Sequence, residues 1–122
     1  MRLTIISMAT RLWPPAGTMM SAKLSRALDL TEWEITVVDQ DNKHLYQPGL
    51  LFIPFGMYEP RDIAKPRDRF IPDGVRLYFG EIDRIAPDEN KVWMKDEVVL
   101  DYDFLIIATG SRIVPEETEG MV

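Results

Sequence analysis

The chain has 122 residues, 46% hydrophobic and 28% charged, the composition of one ordinary globular domain with room for a core. Its net charge of -6 argues against a nucleic-acid backbone as partner, which needs a basic face. The absence of cysteine removes disulfides and thiolate metal sites, and a single histidine, His44, removes a multi-histidine metal site.

Residues 3–7, LTIIS, are β-branched and apolar and predict a buried parallel strand. Residues 18–28, TMMSAKLSRAL, predict a helix. Met19, Met20, Ala22, Leu24, Ala27 and Leu28 fall near helical spacing, with the methionines as core filling and Lys23 and Arg26 facing out. Residues 34–39, EITVVD, predict a second β-branched strand that ends on an acid. The result is a β-α-β unit with parallel strands.

The middle, HLYQPGLLFIPFGMYEP, is apolar but carries Pro or Gly at 48, 49, 54, 56 and 60, so one uninterrupted helix is excluded. A short helix or ordered loop is expected there, followed by a helical turn in PRDRFIPDGV that closes on Asp73-Gly74. Lys and Arg often sit beside Asp or Glu, as in PRDRF and EIDRI, and read as a solvated mixed-charge surface. From Val75 the pattern is one of short strands: VRLYFG, EIDRIA, KVWMK and VVLDY, separated by turn signals. They predict one further parallel strand and then an antiparallel meander. DFLIIATG, 103–110, reads as a last, fully buried strand. No apolar run approaches ~20 residues, so no segment reads as a transmembrane helix. The fold class is therefore α/β, a Rossmann-like nucleotide-binding domain with a parallel sheet and a small meander. Residues 1–111 are expected to form it, with 112–122 the start of a linker to a second domain.

Three features occupy positions that a dinucleotide needs. The strand-to-helix turn at 7–17 offers a helix N-terminus to a diphosphate, with Gly17 where the last glycine of GxGxxG would allow close helix packing. Asp39, 22 residues after Gly17, ends the second strand where an acid accepts ribose hydroxyls. Ala108-Thr109-Gly110 follows the last strand at the carboxyl edge of the sheet.

EITVVDQDNKHLYQPGLLFIPFG and DYDFLIIATGSRIVPEETEG together resemble the N-terminal FAD-binding part of the sulfide:quinone oxidoreductases, flavoproteins with two dinucleotide-binding domains. The resemblance runs from Gly17 onward. It implies that Asp39 holds the adenosine ribose of FAD, that Gln40 and Lys43 flank adenine and ribose, and that Pro48 and Gly49 lie near the isoalloxazine ring. It further implies that Ile82 sets backbone against the adenine and that Ala108, Thr109 and Gly110 pass the pyrophosphate. No catalytic residue and no metal ligand is nominated.

The chain departs from that pattern at its opening corner. Ser7 and Ala9 stand where the first two glycines belong, and RLWPP lengthens the turn before AGTMM. Each new Cβ crowds the phosphate path, and two prolines remove two N–H donors, although Arg11 could pair with a phosphate. Sharply reduced or lost FAD binding is the expectation. The family also uses redox cysteines and a second domain, which this sequence does not contain, so activity of the chain alone is not expected. Two alternatives stay open: a flavin-free domain that self-associates through the apolar stretch GLLFIPFGMY, and a fragment of a type II NADH dehydrogenase-like protein. The expected location is the cytoplasm, peripheral to the inner face of the cell membrane in longer relatives. His44 reads as a structural or surface histidine, with a proton carrier near flavin as the other possibility.

Overall fold

The structure is a computed structural model, and residues 1–7, 16–109, 115–117 and 119–120 are described. Four strands form a parallel sheet in the order β5-β2-β1-β9: β1 (Arg2–Ser7), β2 (Glu34–Asp39), β5 (Arg76–Phe79) and β9 (Phe104–Ala108). Helix α1 (Ala16–Ala27) connects β1 to β2. β1 takes the central position beside both neighbours, Ile5 opposite Val37 on one side and Ile106 on the other.

Side chains alternate across the sheet because the strand period is two. Leu3, Ile5, Ile35 and Val37 face Leu24, Leu28, Leu30 and Trp33 on the α1 side. Ile6 and Val38 face the opposite way and pack with Val92, Met94 and Tyr102. Those partners come from or follow the antiparallel meander of β6 (Ile82–Ala86), β7 (Lys91–Met94) and β8 (Val99–Asp101). The sheet is thus covered by a helix on one face and a meander on the other, which explains why β1 and β2 are apolar on both faces.

The expected β-α-β unit, the further parallel strand and the meander are all present. Two expectations about burial fail. Met19 and Met20 are not core: they are 62% and 37% exposed, while Gly17, Thr18 and Ser21 are buried. The helix approaches β1 so closely that only small residues fit its first contact, and bulk returns at Leu24 and Leu28. β9 is not fully buried either. It lies at one end of the described sheet, with Phe104 and Ile107 largely exposed. Its unbroken apolar run resembled a central strand, although strand position in the sheet is a non-local property.

The middle segment holds a 3-10 helix, Gln47–Phe55, that ends on Gly56 in the left-handed region at φ 69. A two-stranded antiparallel ribbon was not anticipated. It pairs β3 (Lys43–Leu45) with β4 (Ala64–Pro66), and the four-residue helix α2 (Pro60–Ile63) feeds into it. The expected helical turn appears as the 3-10 helix Arg67–Phe70, and Gly74 closes the segment at φ 83. Among the described residues no helix is long and apolar enough to cross a membrane.

Candidate nucleotide site

The carboxyl ends of β1 and β2 lie next to each other because the strands are parallel and in register, Ile6 opposite Val38. A cavity of about 220 Å³ opens there. Ser7, Asp39, Gln40, Ile82 and Thr109 line it, all five being sequence-predicted site residues. Ile6, Val38, Ile85 and Ile107 add an apolar lining, and Gly80 completes the rim. Gly80 earns its place by packing: a Cβ there would meet Tyr78 at 2.8 Å and Met94 at 2.9 Å. The cavity is smaller than the roughly 300–1,000 Å³ of sites that enclose a whole ligand.

A larger depression of about 570 Å³ lies at the amino ends of β1 and β2, lined by Arg2, Glu34, Arg76 and Asp101 among others. Exposed ion pairs Arg2–Asp101 (3.3 Å) and Arg76–Glu34 (2.6 Å) occupy that region. Open α/β sheets bind at the carboxyl edge, so the smaller cavity is the candidate.

Gly17 sits against the corner as its place in the sequence suggests. A Cβ on Gly17 would fall 2.8 Å from Ser7 Oγ and would press on Ser7 Cβ. Ala108 pairs with Ser7 across β1 and β9 and so borders the same edge. Ala9 and Gly110 lie outside the described residues, as do Arg11 and the Trp13-Pro14-Pro15 turn.

Lys43, Pro48 and Gly49 do not line the cavity. The Lys43 side chain is exposed, and its carbonyl accepts a hydrogen bond from Arg67 at 2.7 Å. Gly49 is buried where a Cβ would collide with Ile63 and lie 3.0 Å from Tyr46, so packing of the 3-10 helix on α2 already accounts for it. Pro48 is exposed.

Asp39 is 1% exposed and Arg67 likewise 1%. Arg67 Nη1 lies 3.0 Å from Asp39 Oδ2, a fully buried ion pair. Asp39 Oδ1 accepts the backbone N–H of Gln40 at 2.8 Å. Nη1 also approaches Ser7 Oγ and Thr18 Oγ1, each at 3.4 Å, while Nη2 donates to the Lys43 carbonyl. One guanidinium therefore ties the end of β1, the first turn of α1, the end of β2 and the start of β3. The ribbon puts it there: Asn42 Oδ1 accepts from the backbone N–H groups of Arg67 (2.7 Å) and Asp68 (3.1 Å). This corrects the reading of PRDRF as solvated surface. Alternating charge hides a buried member, and only the Asn42–Arg67 turn, 25 residues apart in sequence, reveals it.

Burial pulls the Arg67 pKa down, and Asp39 and then Asp41 push it back up. His44 stacks on Phe70 with ring centroids 4.2 Å apart. Burial first, and the Arg67 charge second, hold its pKa below the ordinary histidine value. Its Nδ1 is buried without a hydrogen-bond partner among the described residues, which favours the neutral ring. No cluster of metal-ligating side chains is found among the described residues.

The three-layer fold defines a class: a Rossmann-like α/β domain with a cavity at the carboxyl edge of its parallel sheet. Within that class, the chain's homologues are sulfide:quinone oxidoreductases, as the sequence resemblance implied, and also type II NADH:quinone oxidoreductases, the alternative left open. It is 31% identical to the mitochondrial sulfide:quinone oxidoreductase of Dictyostelium discoideum over 88 residues, 72% of this chain and 20% of that protein. It is 32% identical to the type II NADH:quinone oxidoreductase NdhA of Mycobacterium tuberculosis over 94 residues, 72% of this chain and 20% of that protein. The sulfide:quinone oxidoreductase structure from Aquifex aeolicus superposes with a TM-score of 0.72 at 20% identity, over 93% of this chain and 25% of that one. No protein-family model matches the chain. The chain spans about a fifth of the length of these curated relatives.

Proposed function

We infer that this chain is the adenine-dinucleotide-binding unit of a flavin-dependent quinone oxidoreductase of the sulfide:quinone type. The observation that carries the reading is the convergence of Ser7, Asp39, Gln40, Ile82 and Thr109 on one cavity at the carboxyl edge of a β-α-β unit. That edge is where such folds bind nucleotides.

The residues fit the adenosine half of FAD. Ile82 and Ile85 give an apolar wall for a base, and Gln40 offers an exposed amide at the rim. Asp39 stands at the end of β2, but its carboxylate is packed behind the surface against Arg67. A ribose hydroxyl reaches it only if that packing opens. Gly17 lets α1 bring its N-terminal N–H groups close to the corner. Bound FAD would supply redox chemistry; these residues bind and orient its nucleotide end. Pro48 and Gly49 give no support for contact with a flavin ring. Ser7 in the corner and the prolines of the turn make binding weaker than in relatives with three glycines.

Incubation with FAD followed by desalting tests the reading. Retained flavin absorbance that is lost in the Ile82→Trp variant, which fills the cavity, supports it. Absorbance retained equally in both proteins contradicts it.

A second reading is a flavin-free domain that self-associates. Its support is the apolar 3-10 segment and the residues just after it, where Leu51 is 71%, Phe55 79% and Met57 66% exposed. Exposed apolar side chains close together in sequence are what an interface would cover. A cytoplasmic site peripheral to a quinone-bearing membrane accords with the first reading.

A further inference from the structure

The geometry points to Arg67 as the residue that sets the charge selectivity of this nucleotide site: it cancels Asp39 so that the corner accepts an anionic phosphate. The proposal rests on the nucleotide reading above. Arg67 reaches the corner from the β3–β4 ribbon, outside the β-α-β unit that forms the rest of the edge.

The argument is electrostatic. Asp39 puts a full negative charge at the end of β2, where Arg67 links it to Ser7 at the end of β1 and Thr18 in the first turn of α1. Left alone in a buried setting, that charge repels a phosphate more strongly than it would in water. Arg67 Nη1, 3.0 Å from Asp39 Oδ2, supplies the compensating charge. The same nitrogen stands 3.4 Å from Ser7 Oγ and from Thr18 Oγ1, so the positive end of the pair faces the β1–α1 corner. Both contacts are long for hydrogen bonds to a charged donor. Nε is buried with no acceptor among the described residues, so the guanidinium has donor capacity beyond its present partners. Asp41 adds a further raising influence on Arg67, after Asp39, and the His44 pKa is held below its ordinary value by burial and then by the Arg67 charge. Arg67 is thus the cation among these groups that is buried at the corner.

This chain needs such a cation more than a three-glycine corner would. Ser7 takes the space of a glycine and two prolines remove N–H donors. A charge held by the fold replaces part of what the backbone no longer offers.

Calorimetric titration of the intact chain with adenosine and with ADP, at low salt, tests the proposal. The wild-type chain is expected to prefer ADP by on the order of tenfold. Arg67→Met should abolish or invert that preference while adenosine affinity stays within about twofold, since a charge of this kind acts on the phosphates. Arg67→Lys should keep most of the preference. Arg67→Met with Asp39→Asn, which removes both charges and so avoids a bare buried carboxylate, should restore part of it. Equal loss of adenosine and ADP binding in Arg67→Lys and in the double variant would overturn the proposal and leave Arg67 a structural residue. An unchanged ADP preference in the double variant and in Arg67→Met would overturn it as well. If wild type binds neither ligand, the nucleotide reading falls and takes this proposal with it.

Discussion

Gly17 of α1 lies so close to Ser7 of β1 that a side chain on the helix residue would overlap the Ser7 Cβ and stand 2.8 Å from its Oγ. Strand and helix meet here with no room for another carbon, and Ser7 already uses the space that a glycine would leave. Gly17→Ala should therefore destabilise the fold by about 1–3 kcal/mol, the range for overpacking a tight contact. Ser7→Gly should relieve that cost, so the double variant should recover most of it. Urea unfolding of the four proteins measures the coupling, and additive effects would contradict the contact.

The buried pair of Asp39 and Arg67 makes a second prediction. Removing one partner leaves a charge in the interior, at a cost of about 3–5 kcal/mol. Arg67→Met and Asp39→Asn should each approach that loss, and the double variant should lose much less than the sum. Thermal and urea unfolding give the cycle. Near-zero coupling would mean that the two charges do not meet in the folded chain.

His44 predicts a pH dependence. Its folded-state pKa is depressed, by burial first and Arg67 second, so the unfolded chain takes up the proton more readily. This contribution to stability is complete above the unfolded value of about 6.5 and is lost as pH falls from there toward the folded pKa. His44→Leu should flatten that part of the profile. An unchanged slope between the variant and wild type would contradict the assignment.

The apolar 3-10 segment predicts association. Leu51 and Phe55 are 71% and 79% exposed, so Leu51→Glu with Phe55→Glu should leave stability nearly unchanged and lower the sedimentation coefficient at high concentration. A wild-type chain that stays monomeric at every concentration would contradict it.

Local pattern made much of this fold readable. The β-branched runs at β1 and β2, the helix between them and the turn-punctuated meander each carry their own signal, and the structure has all of them. What escaped depends on partners distant in sequence. Met19 and Met20 satisfied a helical stripe, but the facing contact was already filled by Ser7, so the small side of α1 turned inward. β9 looked central because Phe104, Leu105, Ile106 and Ile107 are all apolar, although only one neighbour pairs with it among the described residues. The site divides the same way. Ser7, Asp39 and Thr109 sit at the carboxyl ends of strands and were legible from strand order, whereas Gln40 and Ile82 came from the family resemblance. Arg67 was not legible, because an arginine beside an acid in a charged run looks solvated until Asn42 accepts its backbone N–H.

The central claim is that the carboxyl-edge cavity takes the adenosine end of a dinucleotide. Backbone amide chemical shifts of the labelled chain, followed during titration with ADP, test it most directly. The account predicts saturable shifts concentrated at Gln40, Gly80, Ile82 and Thr109, with Arg2, Glu34 and Arg76 at the opposite edge unmoved. Shifts confined to that opposite edge, or a spectrum unaltered at saturating ADP, would contradict it.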